Sequence, residues 1–399
     1  MRILLVNDYA APFGGAEVAQ VVLRDALRRR GHEVRIFATR PLMGGGPSLA
    51  DYECFGTVSR FRTILQAFNP WAATALRRTI SAFHPDVVHV RVFLTQLSPL
   101  ILPLLRNVPS LHHVTWYRAI CPVGTKTLPD GRPCRERAGL ACCRHGCLPQ
   151  RDWLPMLVQI KLWNRWEGVF RLSVANSEEG RSLLAAEGFH PVERVWNGVA
   201  TVPQRPPLPE KPTLLFAGRL VYQKGVDILL RAFAHAAKQV PQARLWIAGD
   251  GPERAALTNL ARDLGLHGSV SLLGHVSRPE LEREARAAWA QVASSRWAES
   301  FGNAAAEAMM RGTAVIASAI GGMAEYVRDG ESGILVPPCD EKAVADAMLA
   351  VLRDRKLAER MGRRGRQIAL AELTADACAE RFESAYLRLL GPQGRYSPV

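Results

Sequence analysis

Long apolar runs are absent from this sequence. The longest candidate, around Leu97 to Leu105, is interrupted by Pro99 and Pro103 and falls well short of the ~20 residues that a membrane-spanning helix requires. The opening MRILLVNDYAAPFGG offers an apolar run of only four residues before Asn7 and Asp8, too short for a secretory signal, so a cytoplasmic protein is expected. No G-x-G-x-x-G occurs, which argues against a nicotinamide-dependent dehydrogenase. No Asp-x-Asp occurs either. The nearest imitation, Asp51-Tyr52-Glu53, lies in a loop-like stretch, and a metal-bridged diphosphate is therefore not expected. Acids are missing altogether between Glu53 and Asp86, whereas Arg60, Arg62, Arg77 and Arg78 all fall there.

What is present fits a two-domain globular protein. At 399 residues the chain exceeds what one hydrophobic core usually serves, and 48% apolar with 22% charged residues is a globular composition. The net charge of +14 is uneven: residues 1–205 hold 26 Lys plus Arg against 15 Asp plus Glu, and the remainder holds 25 against 22. Such an excess attracts nucleic acid, an anionic membrane surface or an acidic substrate, and by itself does not choose among them.

The chain opens on a strand (2–7), a glycine loop (Gly14, Gly15), an amphipathic helix (16–30) and a second strand (33–38), which is a βαβ start. Strand-like runs at 87–90 and 172–175 extend a doubly wound parallel sheet. VPQRPPLPEKPT then reads as a stiff, exposed connector, which places the domain boundary. Beyond it strands and helices alternate again, with helices at 226–239 and 301–311 and strands at 214–217, 244–248 and 314–317. The expected architecture is α/β: an N-terminal Rossmann-like domain (1–201), a second Rossmann-like domain (202–374), and a final segment (375–399) whose helix returns toward the first. A ligand cleft is expected at the carboxyl ends of the strands.

The chemistry concentrates in ESFGNAAAE and GRLVYQKG. The first places Glu299 and Glu307 eight residues apart around a glycine turn and a helix start; the second puts Arg219 and Lys224 on a tight turn after a strand. Two fixed cations, a helix N-terminus near Phe301, Gly302 and Asn303, and two carboxylates suit a diphosphate leaving group and the hydroxyls of a sugar. Taken singly, each piece has a plainer reading: a solvated basic turn, an acid interacting with the helix dipole, a surface loop acid.

GGAE (14–17), NGV (197–199), GRLVYQKG (218–225), GDGP (249–252), ESFGNAAAE (299–307) and GGMAEYVRDGESGILVPP (321–338), in this order, resemble the retaining glycosyltransferases of family 4, which have the GT-B fold. The resemblance covers nearly the whole chain and is densest in its second half. It implies transfer of a hexose-type sugar from a nucleoside diphosphate sugar, UDP by preference, to a glycan or lipid-linked acceptor, with retention and with no obligatory metal. It also implies that Arg219 and Lys224 hold the diphosphate, Glu307 the ribose, and Glu299 the donor sugar. Gly14, Gly15, Asn197, Gly218, Gly249, Val276, Phe301, Gly302 and Asn303 would lie along the donor. At YRAICP the sequence departs from the pattern, with Thr115 and Trp116 where the family often has His-Asp. His113, just upstream, is the substitute candidate for the sugar contact, its plainer role being a structural histidine at a strand end.

Two features stand outside the resemblance. Five of the eight cysteines, Cys121, Cys134, Cys142, Cys143 and Cys147, share one segment whose spacing matches no standard zinc ribbon. Free thiols in a packed loop, a structural zinc and a redox-labile crosslink are the expectations there. Phe61, Ile64, Leu65, Phe68 and Trp71 recur at helical spacing among the arginines, and Trp153 to Phe170 has a similar character. Either these apolar faces pack on the sheet with the arginines in water, or they dock on an anionic bilayer. The rival functions are a sugar-nucleotide epimerase or hydrolase on the same fold and a basic nucleic-acid-binding protein. The latter leaves Glu299 and Glu307 unexplained, and no nucleic acid is expected as a partner.

Overall fold

Strands of this chain are short, apolar on both faces and parallel, which is the signature of sheets covered by helices on each side. The computed structural model describes residues 1–11, 14–40, 48–59 and 61–391. It divides into two units: Met1–Gly198 together with the chain from Ala375 onward, and Val199–Thr374.

In the first unit β1 (Arg2–Tyr9), β2 (Glu33–Thr39), β3 (Tyr52–Cys54), β4 (Val87–Val90), β5 (Ser110–Val114), β6 (Leu172–Ala175) and β7 (Val192–Arg194) form one sheet in the order β3-β2-β1-β4-β5-β6-β7. In the second, β8 (Thr213–Ala217), β9 (Arg244–Ala248), β10 (Val270–Gly274), β11 (Ala290–Ala293), β12 (Ala314–Ser318) and β13 (Gly333–Val336) run β10-β9-β8-β11-β12-β13. Every paired register is parallel. The order reverses once in each sheet, between β1 and β4 and between β8 and β11. At such switch points the connections leave in opposite directions and open a crevice at the carboxyl ends of the strands.

The helix Ala375–Leu390 is part of the first unit. Cys378, Phe382 and Tyr386, four residues apart, lie buried on its inner stripe, and Tyr386 Oη sits 2.7 Å from His89 Nδ1 on β4. On its outer edge Arg30 and His32 meet Glu383. The proline-rich stretch after Val202 is largely exposed, with Arg205, Leu208 and Pro212 buried. Arg205 is buried and donates from Nε to the Gly312 carbonyl (2.9 Å), Leu208 is part of the second unit's core, and the chain divides a few residues earlier, at Gly198. Proline stiffness therefore serves a strap docked on the second unit.

Candidate functional site

The switch point of the second sheet carries the charged residues. After β8 the chain turns through Gly218, Arg219 and a short 3-10 segment, Tyr222–Lys224, before the helix Val226–Gln239. After β11 it passes Ser294 and Ser295 to Glu299. Lys224 Nζ and Glu299 Oε2 meet across this point at 2.7 Å, and Ser295 Oγ donates to the other carboxylate oxygen, Oε1. Arg219 lies exposed on the turn. The pair borders a recess of about 20 Å³, room for roughly one water, lined among others by Gln291, Gly302 and Met323.

The helix Asn303–Arg311 begins at this recess. Gly302 precedes it with φ +86°, a left-handed conformation, and a Cβ there would meet Met323 Cγ at 2.4 Å. Tyr326 donates to the Gly302 carbonyl at 2.8 Å, and Gly322 N–H to the Glu299 carbonyl at 2.8 Å. Gly321 (φ +67°) rests so closely on the Glu299 backbone that a Cβ would come within 2.4 Å of its oxygen. Thus GGMAEY is the clamp that shapes ESFG. No acid occupies the first turn of the helix, so its positive end is not offset there. Phe301 is buried against Tyr326, with ring centroids 5.1 Å apart, so only its backbone is placed for a ligand.

Glu307 belongs to the second turn of this helix rather than the first, because the helix starts at Asn303. Its Oε1 accepts from Arg278 Nη1 at 2.9 Å. Behind it runs an alternating row: Arg278 to Glu282 (3.5 Å), Glu282 to Arg311 (3.0 Å), and Arg311 Nη2 to Gln291 Oε1 (3.0 Å). Gln291 Nε2 in turn donates to the Ala304 carbonyl at 2.7 Å. The row fixes the first turn of the helix to β11. Burial lowers the Arg311 pKa from its ordinary value. On the other side of β8, Gly218 N–H bonds the Ala248 carbonyl and Gly249 N–H the Gly274 carbonyl, so these glycines and Val276 line the ends of β8, β9 and β10.

Gly14, Gly15, Asn197 and His113 lie in the first unit. Gly14 caps the helix Gly15–Arg29 in extended conformation. Two turns carry the buried chemistry of this unit. Asp8 accepts from Thr95 N–H (2.7 Å), Thr95 Oγ1 (2.5 Å), Gln96 N–H (2.9 Å) and Leu97 N–H (2.7 Å), and burial still raises its carboxyl to about 6. Burial likewise raises Glu17 to about 7. Arg91, fully enclosed, reaches Asn197 Oδ1 at 3.5 Å. His113, the candidate for a sugar contact, lies buried in the first unit, with its Nδ1 facing His89 at 3.1 Å and its Nε2 facing Asn176 Oδ1. Desolvation holds it well below the ordinary imidazole value, hence neutral.

The cysteine segment contains free thiols only. Among the described residues no three His, Cys, Asp or Glu side chains converge on a metal-sized site. What fastens the loop is Lys126, buried, which donates to the Glu136 carbonyl at 2.7 Å and pairs with Glu187. Ser295, Arg278 and the Asp8 cradle carry no signal in the sequence; only the glycines and apolar residues spaced around them do.

Two doubly wound parallel units, each with a switch point and the second with a lysine and two carboxylates gathered beside a helix start, define an α/β protein of GT-B fold. Solved structures carry the same arrangement. Sucrose-phosphate synthase from Thermosynechococcus elongatus superposes with a TM-score of 0.74 at 22% identity, over 98% of this chain and 99% of that one. Anabaena HepE in complex with UDP and glucose gives 0.69 at 19%, over 96% and 99%. In sequence, the family described as glycosyl transferases group 1 matches residues 201–368, and glycosyltransferase family 4 matches residues 13–202. A D-inositol 3-phosphate glycosyltransferase of Nocardioides sp. is 39% identical over 189 residues, covering 43% of this chain and 40% of that protein. The chain spans half or less of the curated relatives it matches. It belongs to the group 1, family-4-like glycosyltransferases.

Proposed function

We propose that this protein transfers a hexose-type sugar from a nucleoside diphosphate sugar, with UDP as the nucleotide, to a glycan or lipid-linked acceptor, with retention of configuration and without a metal. The observation that carries the reading is the Lys224–Glu299 pair, 2.7 Å apart at the β8/β11 switch point and next to the helix Asn303–Arg311. In this reading the diphosphate draws Lys224 away from Glu299, with Arg219 as second cation and the helix start as third positive element. Glu299, oriented by Ser295, is then free for the donor-sugar hydroxyls and for the positive charge that develops at the anomeric carbon. Glu307 has Oε1 held by Arg278 and in this reading offers Oε2 to the ribose. The complex of HepE with UDP and glucose supports the choice of nucleotide.

Acceptor-dependent release of UDP, followed with the anomeric configuration of the product by NMR, tests the reaction. Lys224→Ala or Arg219→Ala is expected to lower turnover by about 10²-fold, the loss of one preorganised charge contact, and to weaken UDP in calorimetry. Glu307→Gln should weaken UDP itself, whereas Glu299→Gln should spare UDP and depress the rate. Unchanged nucleotide affinity in both cation variants would remove the leaving-group assignment. UDP release that ignores any acceptor would instead point to a hydrolase.

A further inference from the structure

Exposed apolar side chains on this protein are concentrated in one place. Of the fourteen large apolar residues that stand exposed among the described residues, six fall between Phe55 and Trp71 and two more, Leu154 and Val158, on the helix Trp153–Trp166. The second unit has only three. Scattered apolar residues need no explanation, whereas a cluster does. Packing accounts for only part of this stretch: the short helix Arg62–Ala67 buries Leu65, Gln66 and Ala67, while Phe61, Ile64, Phe68 and Trp71 are each more than half exposed.

The surface is built rather than frayed. Thr63 Oγ1 donates to Asp152 Oδ1 at 2.9 Å, and Gln159 Nε2 to the Gln66 carbonyl at 2.6 Å, which ties the short helix to the neighbouring Trp153–Trp166 helix. Phe55 meets Trp71 edge-on with ring centroids 5.5 Å apart. The polar groups are thus spent inward and the apolar ones face out.

Charge identifies the occupant. Arg62, Arg77 and Arg78 are exposed, and no acid occurs between Glu53 and Asp86. Lys161 and Arg165 are exposed on the second helix, which contains no acid, and Asp152 before it is held by Thr63. Arg60 lies outside the described residues. A second copy of the chain docked here about a two-fold axis would set arginine against arginine. Aromatic and aliphatic side chains ringed by arginines match instead the boundary between acyl chains and anionic headgroups.

We propose that this face of the first unit docks on an anionic bilayer, with Phe61, Ile64, Phe68, Trp71 and Leu154 entering the acyl boundary and Arg62, Arg77 and Arg78 meeting lipid phosphates. No helix among the described residues is long and apolar enough to cross a membrane, so the contact is peripheral. Docking does not depend on the glycosyl-transfer reading and is measured without turnover.

The test is flotation of the full chain with vesicles of phosphatidylcholine containing about 30% phosphatidylglycerol, a surface whose anionic potential recruits basic segments. Binding is expected, at least about tenfold above that to pure phosphatidylcholine and reversed by high salt. The variant Phe61→Ser/Ile64→Ser/Phe68→Ser/Trp71→Ser should lose at least about tenfold of it with unchanged melting temperature, since those side chains are exposed. Arg62→Gln/Arg77→Gln/Arg78→Gln should lower binding to the anionic vesicles alone. Absence of binding by the native chain, full retention by both variants, or a dimer in light scattering that the serine variant dissolves would overturn the proposal.

Discussion

Histidine 112 shows how one side chain couples this fold to pH. It lies in β5, stacked on Phe170 at 5.0 Å and tilted against Trp163 at 5.3 Å, with Nδ1 unpartnered. Burial lowers its pKa from 6.5 to about 3. The folded chain therefore keeps it neutral while the unfolded chain protonates it below pH 6.5. Its contribution is complete above that value and is lost as the pH falls toward 3. At 1.36 kcal/mol per unit the loss between pH 6.5 and 5 is about 2 kcal/mol. Glu17 and Asp8, raised to about 7 and about 6, act with the opposite sign: the folded state holds their protons more tightly, so acid favours it. The informative quantity is consequently a difference. His112→Phe, which keeps the stacking, should flatten the pH dependence of denaturant-unfolding stability by about 1.4 kcal/mol per unit between pH 6.5 and 5 relative to the native chain. Parallel curves would show that the ring is solvated. None of this is visible in SLHHV as a sequence, where two adjacent histidines read as polar.

Elements were legible in proportion to their length and their period. The helix Val226–Gln239 and the helix Ala375–Leu390 carry long apolar stripes and lie where the sequence pattern puts them. β3 and β7, three residues each at the sheet edges, and β11, AQVA with an inward glutamine, give too little pattern to read. The turn before the helix Asn303–Arg311 was legible because its conformation demands glycine, yet the reason it must keep its shape, the Gly321–Gly322 clamp and Tyr326, is a tertiary contact between segments about twenty residues apart. Gly302→Ala measures that demand. The new Cβ must adopt φ +86° and displace Met323, at a cost of roughly 1–3 kcal/mol, and the shifted helix start should lower affinity for UDP. A variant with native melting temperature and native UDP affinity would show that the turn relaxes without consequence. The proline strap is legible in its exposure and not in its anchors, because stiffness reads the same whether or not single side chains, here Arg205 and Leu208, lie against a core.

At the scale of the whole molecule, the proposed reading has the positive charge offered to a donor come from the chain itself. Lys224, Arg219 and the start of the helix Asn303–Arg311 are gathered at one switch point, and no Asp-x-Asp accompanies them. The concentration of metal-binding residue types, the cysteines from 121 to 147, belongs to the first unit, where Lys126 and Glu187 hold the loop. Breaking a buried ion pair by removing one partner typically costs about 3–5 kcal/mol, so Lys126→Ala should lower the melting temperature markedly, and chelation should not. Transfer is accordingly expected to survive excess EDTA with the melting temperature unchanged. The two readouts separate the ways in which this can fail. A melting temperature that falls with EDTA and recovers with zinc would mean that the cysteines do close on an ion and that the loop owes its fold to it. Transfer that disappears with EDTA and returns with magnesium or manganese, at constant melting temperature, would mean that a divalent ion rather than Lys224 and Arg219 carries the diphosphate, and the metal-free mechanism would be wrong.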